Sequence, residues 1–146
     1  MTTSAAVLRL NTAKSRHSTQ TSKHMNPVST SRALVQESFA NAGKWNANMA
    51  EAESLLTSAL NESSDDITAL TCLGAVLCDQ AKYQRATDML KKAVELGSTD
   101  RNTYFNLGVA LFAHAAQEEA MDAFRRAQSL DASPETWEAY FDPQAQ

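Results

Sequence analysis

The chain has 146 residues, two cysteines and a formal net charge of −4. That length holds one domain plus a tail, and no apolar run reaches the ~20 residues of a membrane-spanning helix. Residues 1–36 carry five Lys/Arg and no acid, while the remainder carries eight Lys/Arg against seventeen acids, net −9. A body that acidic repels nucleic-acid phosphates and favours a basic or apolar partner.

Taken in chain order, residues 1–30 form a Ser/Thr-rich basic tail containing "STQTSKH". Three readings of it stand. It is a disordered tail with too little apolar surface to order itself; it is a transit peptide for mitochondrion or plastid, with Ser, Arg and no acid; or Met25 is the start. "AAVL" is too short for the apolar core of a secretory signal. Residues about 31–142 read as one all-helical unit.

Self-comparison organises that unit. Sliding Asn106–Pro134 back by 34 residues places Leu107-Gly108 on Leu73-Gly74, Leu111 on Leu77 and Ala120 on Ala86. Phe124 falls on Leu90, Ala127 on Ala93, Leu130 on Leu96 and Asp100 on Asp66. A further step of 34 brings Phe39-Ala40, Ala52, Leu56 and Ala59 into register, less fully. Each copy has the apolar spacing of two helices. In the last copy these run over about Asn102–Ala113 and Glu118–Leu130. Asp66 and Asp100 stand as N-caps. Ser133-Pro134 is a third start signal and predicts a closing helix over 134–141 with Trp137, Tyr140 and Phe141 on it.

The small residues have a steric purpose. A Gly inside a helix costs about 0.5–1 kcal/mol relative to Ala. Gly74 and Gly108 midway along first helices, with Ala40 in the first copy, therefore predict close crossings against Ala86, Ala120 and Ala52.

A 34-residue helix–turn–helix unit with Leu-Gly, then a large residue, then Ala-large-Ala resembles the tetratricopeptide repeat (TPR). "AKYQRA", Ala81–Ala86, is similar to that family's turn into its second helix. The family's late Pro is missing, with Ser98 and Ala132 in its place. The resemblance covers 67–134 well and 33–66 loosely, giving repeats at about 33–66, 67–100 and 101–134. In the loose copy the turn motif "GKW", Gly43–Trp45, comes about four residues early, which suggests a shortened first helix and a longer turn. The fold implied is a right-handed α-solenoid whose first helices line a concave, peptide-binding groove. Carried over by register, the groove positions are Thr68, Thr71, Ala75, Cys78 and Asp79, then Asn102, Phe105, Asn106, Val109, Phe112 and Ala113. Phe105 and Phe112 are the expected anchors; the alternative is that one of them covers a neighbouring helix or the closing segment. Asn106 is placed to hold a ligand's backbone, since its amide both donates and accepts. The carboxylate clamp of chaperone-binding members maps to Glu37, Asn41, Cys72, Asn102 and Asn106; only Asn41 agrees, so that mode is not expected.

Nothing points to catalysis, a cofactor or a metal. His17, His24 and His114 have no ligand-like companions, and Glu118-Glu119 suit the positive end of a helix dipole. Cys72 and Cys78 are six apart on one helix, about 9 Å in rise, which places them beyond disulfide reach. They read as reduced thiols of a cytoplasmic chain, with Cys78 facing the groove, where alkylation would block binding. Two functions follow. One is a non-catalytic adaptor or chaperone-like module that binds an apolar or basic peptide in the groove. The other is a structural subunit that self-associates, or docks, through Trp137, Tyr140 and Phe141. Neither involves nucleic acid or membrane.

Overall fold

The computed structural model describes residues 26–140. Of the predicted tail, 1–30, residues 1–25 lie outside the described residues, as does the last predicted docking residue, Phe141. Residues 27–30 are not disordered but form the first turn of a helix, where Asn26 supplies a cap. Within them the fold is all-helical: α1 (Pro27–Ala40), α2 (Trp45–Glu62), α3 (Ile67–Asp79), α4 (Tyr83–Glu95), α5 (Arg101–Ala113) and α6 (Gln117–Gln128). Neighbouring helices pack in pairs, α1 on α2, α3 on α4 and α5 on α6. First helices also touch one another, α1 to α3 and α3 to α5. No described helix is long and apolar enough to cross a membrane.

Local chemistry sets the ends of these helices. Asn26 caps α1 by accepting from the N–H of Val28, with Pro27 at the first helical position. Asp66 caps α3 at 3.0 Å from the Ala69 N–H, and Asp100 caps α5 at 2.9 Å from the Asn102 N–H. α3 and α5 end alike. Ala81 and Ala115 adopt left-handed backbone with φ of 58° and 60°. The next N–H of each, on Lys82 and Ala116, bonds back to the carbonyls of Leu77 and Leu111. This is a Schellman stop built on alanine. Gly97, at φ 94°, makes the same stop after α4.

Steric need explains Gly74 and Gly108. A Cβ on Gly74 would stand 2.4 Å from Leu90 Cγ, and one on Gly108 2.5 Å from the Phe124 ring. Real atoms do not approach so closely, so the large residue of the second helix occupies the space each glycine leaves. The alanines expected opposite the glycines, Ala86 and Ala120, are fully buried, but the atoms nearest each glycine belong to Leu90 and Phe124.

The first pair departs from the expected register. α2 begins 38 residues before α4 (83 − 45), whereas α6 begins 34 after it (117 − 83). α1 is not shortened: it has 14 residues, against 13 in α3 and in α5. The extra length goes into a 3-10 turn, Ala42–Lys44, capped by Asn41, and into α2, which has 18 residues. Ala40 consequently does not stand midway along a helix; it ends α1, exposed. The small buried residues of α1 are instead Ser31 and Ser38. The Ser31 hydroxyl lies 3.5 Å from the Ala52 carbonyl.

The expected closing helix is absent. After α6 the chain turns at Pro134-Glu135 and continues non-helically to Tyr140. A helix there would be about two turns long, too short to recover its nucleation cost unaided. Asp131 also stands where the previous repeat has the left-handed Gly97.

Gly74→Ala and Ala81→Gly have opposite expected effects in urea unfolding. The first overpacks a fully buried leucine and lowers stability by about 1–3 kcal/mol, despite better helix propensity. The second relieves a left-handed alanine and raises stability by about 0.5–1 kcal/mol.

Candidate functional site

The C-terminal segment, residues 133–140, lies along the face made by α1, α3 and α5. Its start is tied to both outer helices. Arg32 on α1 donates to the Pro134 carbonyl at 2.7 Å, although the two are 102 residues apart in sequence. The Asp100 carboxylate, already capping α5, also accepts from the Ser133 N–H at 2.9 Å and from the Thr136 hydroxyl at 2.6 Å. Asn102 Nδ2 donates to that same hydroxyl at 3.0 Å, so Thr136 both donates and accepts and is buried.

The middle of the segment is held by one side chain. Asn106 Nδ2 donates to the Trp137 carbonyl at 3.0 Å, and its Oδ1 accepts from the Ala139 N–H at 2.7 Å. In an extended chain these two groups point to the same side, so a carboxamide bridges them as a neighbouring strand would. The grip reads backbone and is indifferent to the side chains at 137 and 138. Ala139 is buried and small; Glu138 points outward to Arg101 at 3.0 Å. Tyr140, 60% exposed, stacks on Phe39 at 4.4 Å between ring centroids, and Phe39 in turn meets Trp45 edge-on.

Beneath the segment lies α3. The Cys72 thiol lies 3.9 Å from the Glu135 carbonyl. Asp79, at the far end, has both carboxylate oxygens buried and without a hydrogen bond. Burial drives its pKa up from 3.8 to about 8. The Tyr140 N–H opposes this only in part, without reaching normal hydrogen-bond geometry. No cation among the described residues is paired with it.

The predicted groove residues therefore separate. Asn102, Asn106 and Asp79 meet at the segment. Thr71 faces the next repeat instead: its hydroxyl is 2.6 Å from that of Thr103, which is 2.7 Å from that of Ser98, all buried. Cys78 packs between α3 and α5, 3.7 Å from the Asn106 carbonyl, and its thiol is pushed up to about 12 by burial and by Asp79. Cys72, raised for the same reason of burial, is the thiol that lies under the segment. Val109 belongs to the core. Phe105 is not a free anchor, because its ring packs on Phe124 of α6 at 5.6 Å and under the Arg101 guanidinium at 5.9 Å. Phe112 is 50% exposed near the end of α5. Trp137 does not form an outward docking face; it is half-buried against the core.

Sequence reasoning missed Arg32, Phe39 and Asp100 as contacts. Asp100 was legible only as a cap, since the second job of its carboxylate depends on where the chain returns. Of the chaperone-clamp positions, Cys72, Asn102 and Asn106 all contact the segment. Glu37 instead pairs with Lys44 and Asn48, and Asn41 caps the 3-10 turn. Of the histidines, His17 and His24 lie outside the described residues. His114 ends α5 and stands edge-on to Tyr83 at 6.2 Å. Glu118 and Glu119 open α6, with Arg125 and Arg126 at its other end, both pairs complementing the helix dipole. No His/Cys/Asp/Glu cluster able to hold a metal occurs among the described residues. No protein-family model matches the chain, and no curated protein matches it.

Two measurements check this site. The folded-state pKa of Asp79 lies above its unfolded value, so its contribution to stability is intact below about pH 4 and declines as pH rises toward 8. Asp79→Asn should therefore melt higher than the native chain at pH 8, with the gap closing by pH 4. The thiols give the second readout. Both should react slowly with iodoacetamide in the intact chain. An Ala139→Arg change, which cannot be seated at a buried small residue, should expose Cys72 to labelling and leave Cys78 protected.

Proposed function

We propose that this chain is a non-catalytic protein-interaction module of TPR type. In this reading the helix pairs form a right-handed α-solenoid, and the concave face made by α1, α3 and α5 binds an extended segment of a partner protein. The C-terminal segment fills that face when no partner is bound.

The observation that carries the reading is the two-point grip of Asn106 on the backbone of Trp137 and Ala139. Backbone recognition of this kind accepts an extended peptide from any source, and the flanking contacts of Thr136, Ala139 and Tyr140 supply selectivity. The charge of the body suits a basic or apolar ligand. The two unpaired, buried thiols suit a cytoplasmic setting. Docking through Trp137, the alternative structural role, is less well supported because that residue packs inward.

The test uses a fluorescent peptide of residues 132–146 and the Ala139→Arg chain, in which the resident segment is displaced. The labelled peptide should bind that chain in an anisotropy titration. It should bind the intact chain far more weakly, because the tethered segment competes at high effective concentration. Adding Asn106→Ala to the displaced chain should cost at least tenfold in affinity, roughly the loss of two backbone hydrogen bonds. Absence of binding to the displaced chain, with its helicity intact by circular dichroism, would sink the reading.

A further inference from the structure

The resident segment is an imperfect occupant. Five buried side-chain polar atoms among the described residues lack a hydrogen-bond partner, and four of them lie at this junction: both oxygens of Asp79, Oδ1 of Asn102 and Nε1 of Trp137. Elsewhere the interior is satisfied except at the Thr87 hydroxyl. Leaving a buried acceptor unpaired is costly, and more so for a carboxylate. The backbone of Tyr140 runs beside Asp79, yet its side chain leaves for solvent and covers Phe39, itself 42% exposed.

We propose that the partner segment fitted to this face has the pattern Thr-x-x-Ala followed directly by lysine or arginine, the cation taking the place of Tyr140 and pairing with Asp79. The inference rests on the peptide-binding reading above and specifies its ligand. A lysine or arginine is long enough for its head group to turn back to a carboxylate beside its own backbone. Its aliphatic stem would lie on the Phe39 ring, where the Tyr140 ring now rests. The hydroxyl residue is required by the paired contacts of Asp100 and Asn102. The small residue is required by the buried position of Ala139. With Tyr140 in place, Asp79 holds a proton near neutrality; a neighbouring cation favours its charged form. A partner of this pattern displaces the resident segment by making the ion pair that the segment lacks.

The experiment compares two fluorescent peptides of residues 132–146, native and Tyr140→Lys, on the Ala139→Arg chain. The lysine peptide should bind about tenfold more tightly, as expected for one charge-assisted contact. With Asp79→Asn added to the chain, the two peptides should bind alike. If the native peptide binds and the lysine peptide binds no better, or if its advantage survives Asp79→Asn, the cation inference is overturned and the peptide-binding reading stands. If neither binds, both fall. A second measurement keeps the inference testable should the Ala139→Arg chain not fold. Tyr140→Lys in the full chain should raise the melting temperature at pH 7, and that rise should vanish when Asp79→Asn is present. An unchanged or lower melting temperature, or a rise that persists with Asp79→Asn, counts against it.

Discussion

Ten consecutive residues of α3, Ala69 through Cys78, are buried. A helix buried around its whole circumference has no side to offer to water, so every direction from it must be covered. α4 covers one side through the Gly74–Leu90 contact, and α1, α2 and α5 pack around it. These neighbours leave the side where Cys72 lies. Segment 133–140 closes it. The position of the segment is thus a consequence of an apolar helix at the centre of the three helix pairs that the described residues form.

The cover is held by polar contacts as well as by the packing of Trp137 and Ala139. Arg32, Asp100, Asn102 and Asn106 each bond to it, and at a typical ~0.5–1.5 kcal/mol per net hydrogen bond the set amounts to a few kcal/mol. Against this stand the ordering of an extended chain and the unpaired atoms of Asp79, Asn102 and Trp137. The balance describes a segment that covers α3 while leaving part of the polar surface beneath it unpaired. Two of its four anchors, Asp100 and Asn102, are at the start of α5, so the helix cap and the segment are mechanically one unit.

Regularity differs along the molecule for a physical reason. The second and third pairs share a crossing that requires glycine opposite a large residue, and a turn that requires left-handed backbone at Ala81 and Ala115. Such constraints fix spacing, which is why these two copies match without gaps. The first pair crosses at Ser31 and Ala52 and turns through a 3-10 segment. No glycine constrains it, and it has drifted by four residues.

Much of the fold was legible in the sequence because it is local. Apolar spacing, the Asp66 and Asp100 caps, and a close approach at Gly74 and Gly108 each follow from residues within one 34-residue unit; that Leu90 and Phe124, rather than Ala86 and Ala120, fill the space at the glycines did not. Register alone put Asn102, Asn106 and Asp79 on one face, and all three meet segment 133–140. What tertiary structure decided is everything that depends on the return of the chain. A Ser-Pro pair and a run of aromatics state a local preference for helix after Ser133. That preference lost to a face already lined with an unsatisfied carboxamide, a capping carboxylate and an arginine 102 residues away. Sequence periodicity likewise located Phe105 on a stripe but not which helix it would cover, since that depends on how α5 is rotated against α6. Short-range chemistry determined the helices of this protein; the competition between a two-turn helix and the polar contacts offered by α1 and α5, which only the assembled helix pairs present, decided the course of segment 133–140.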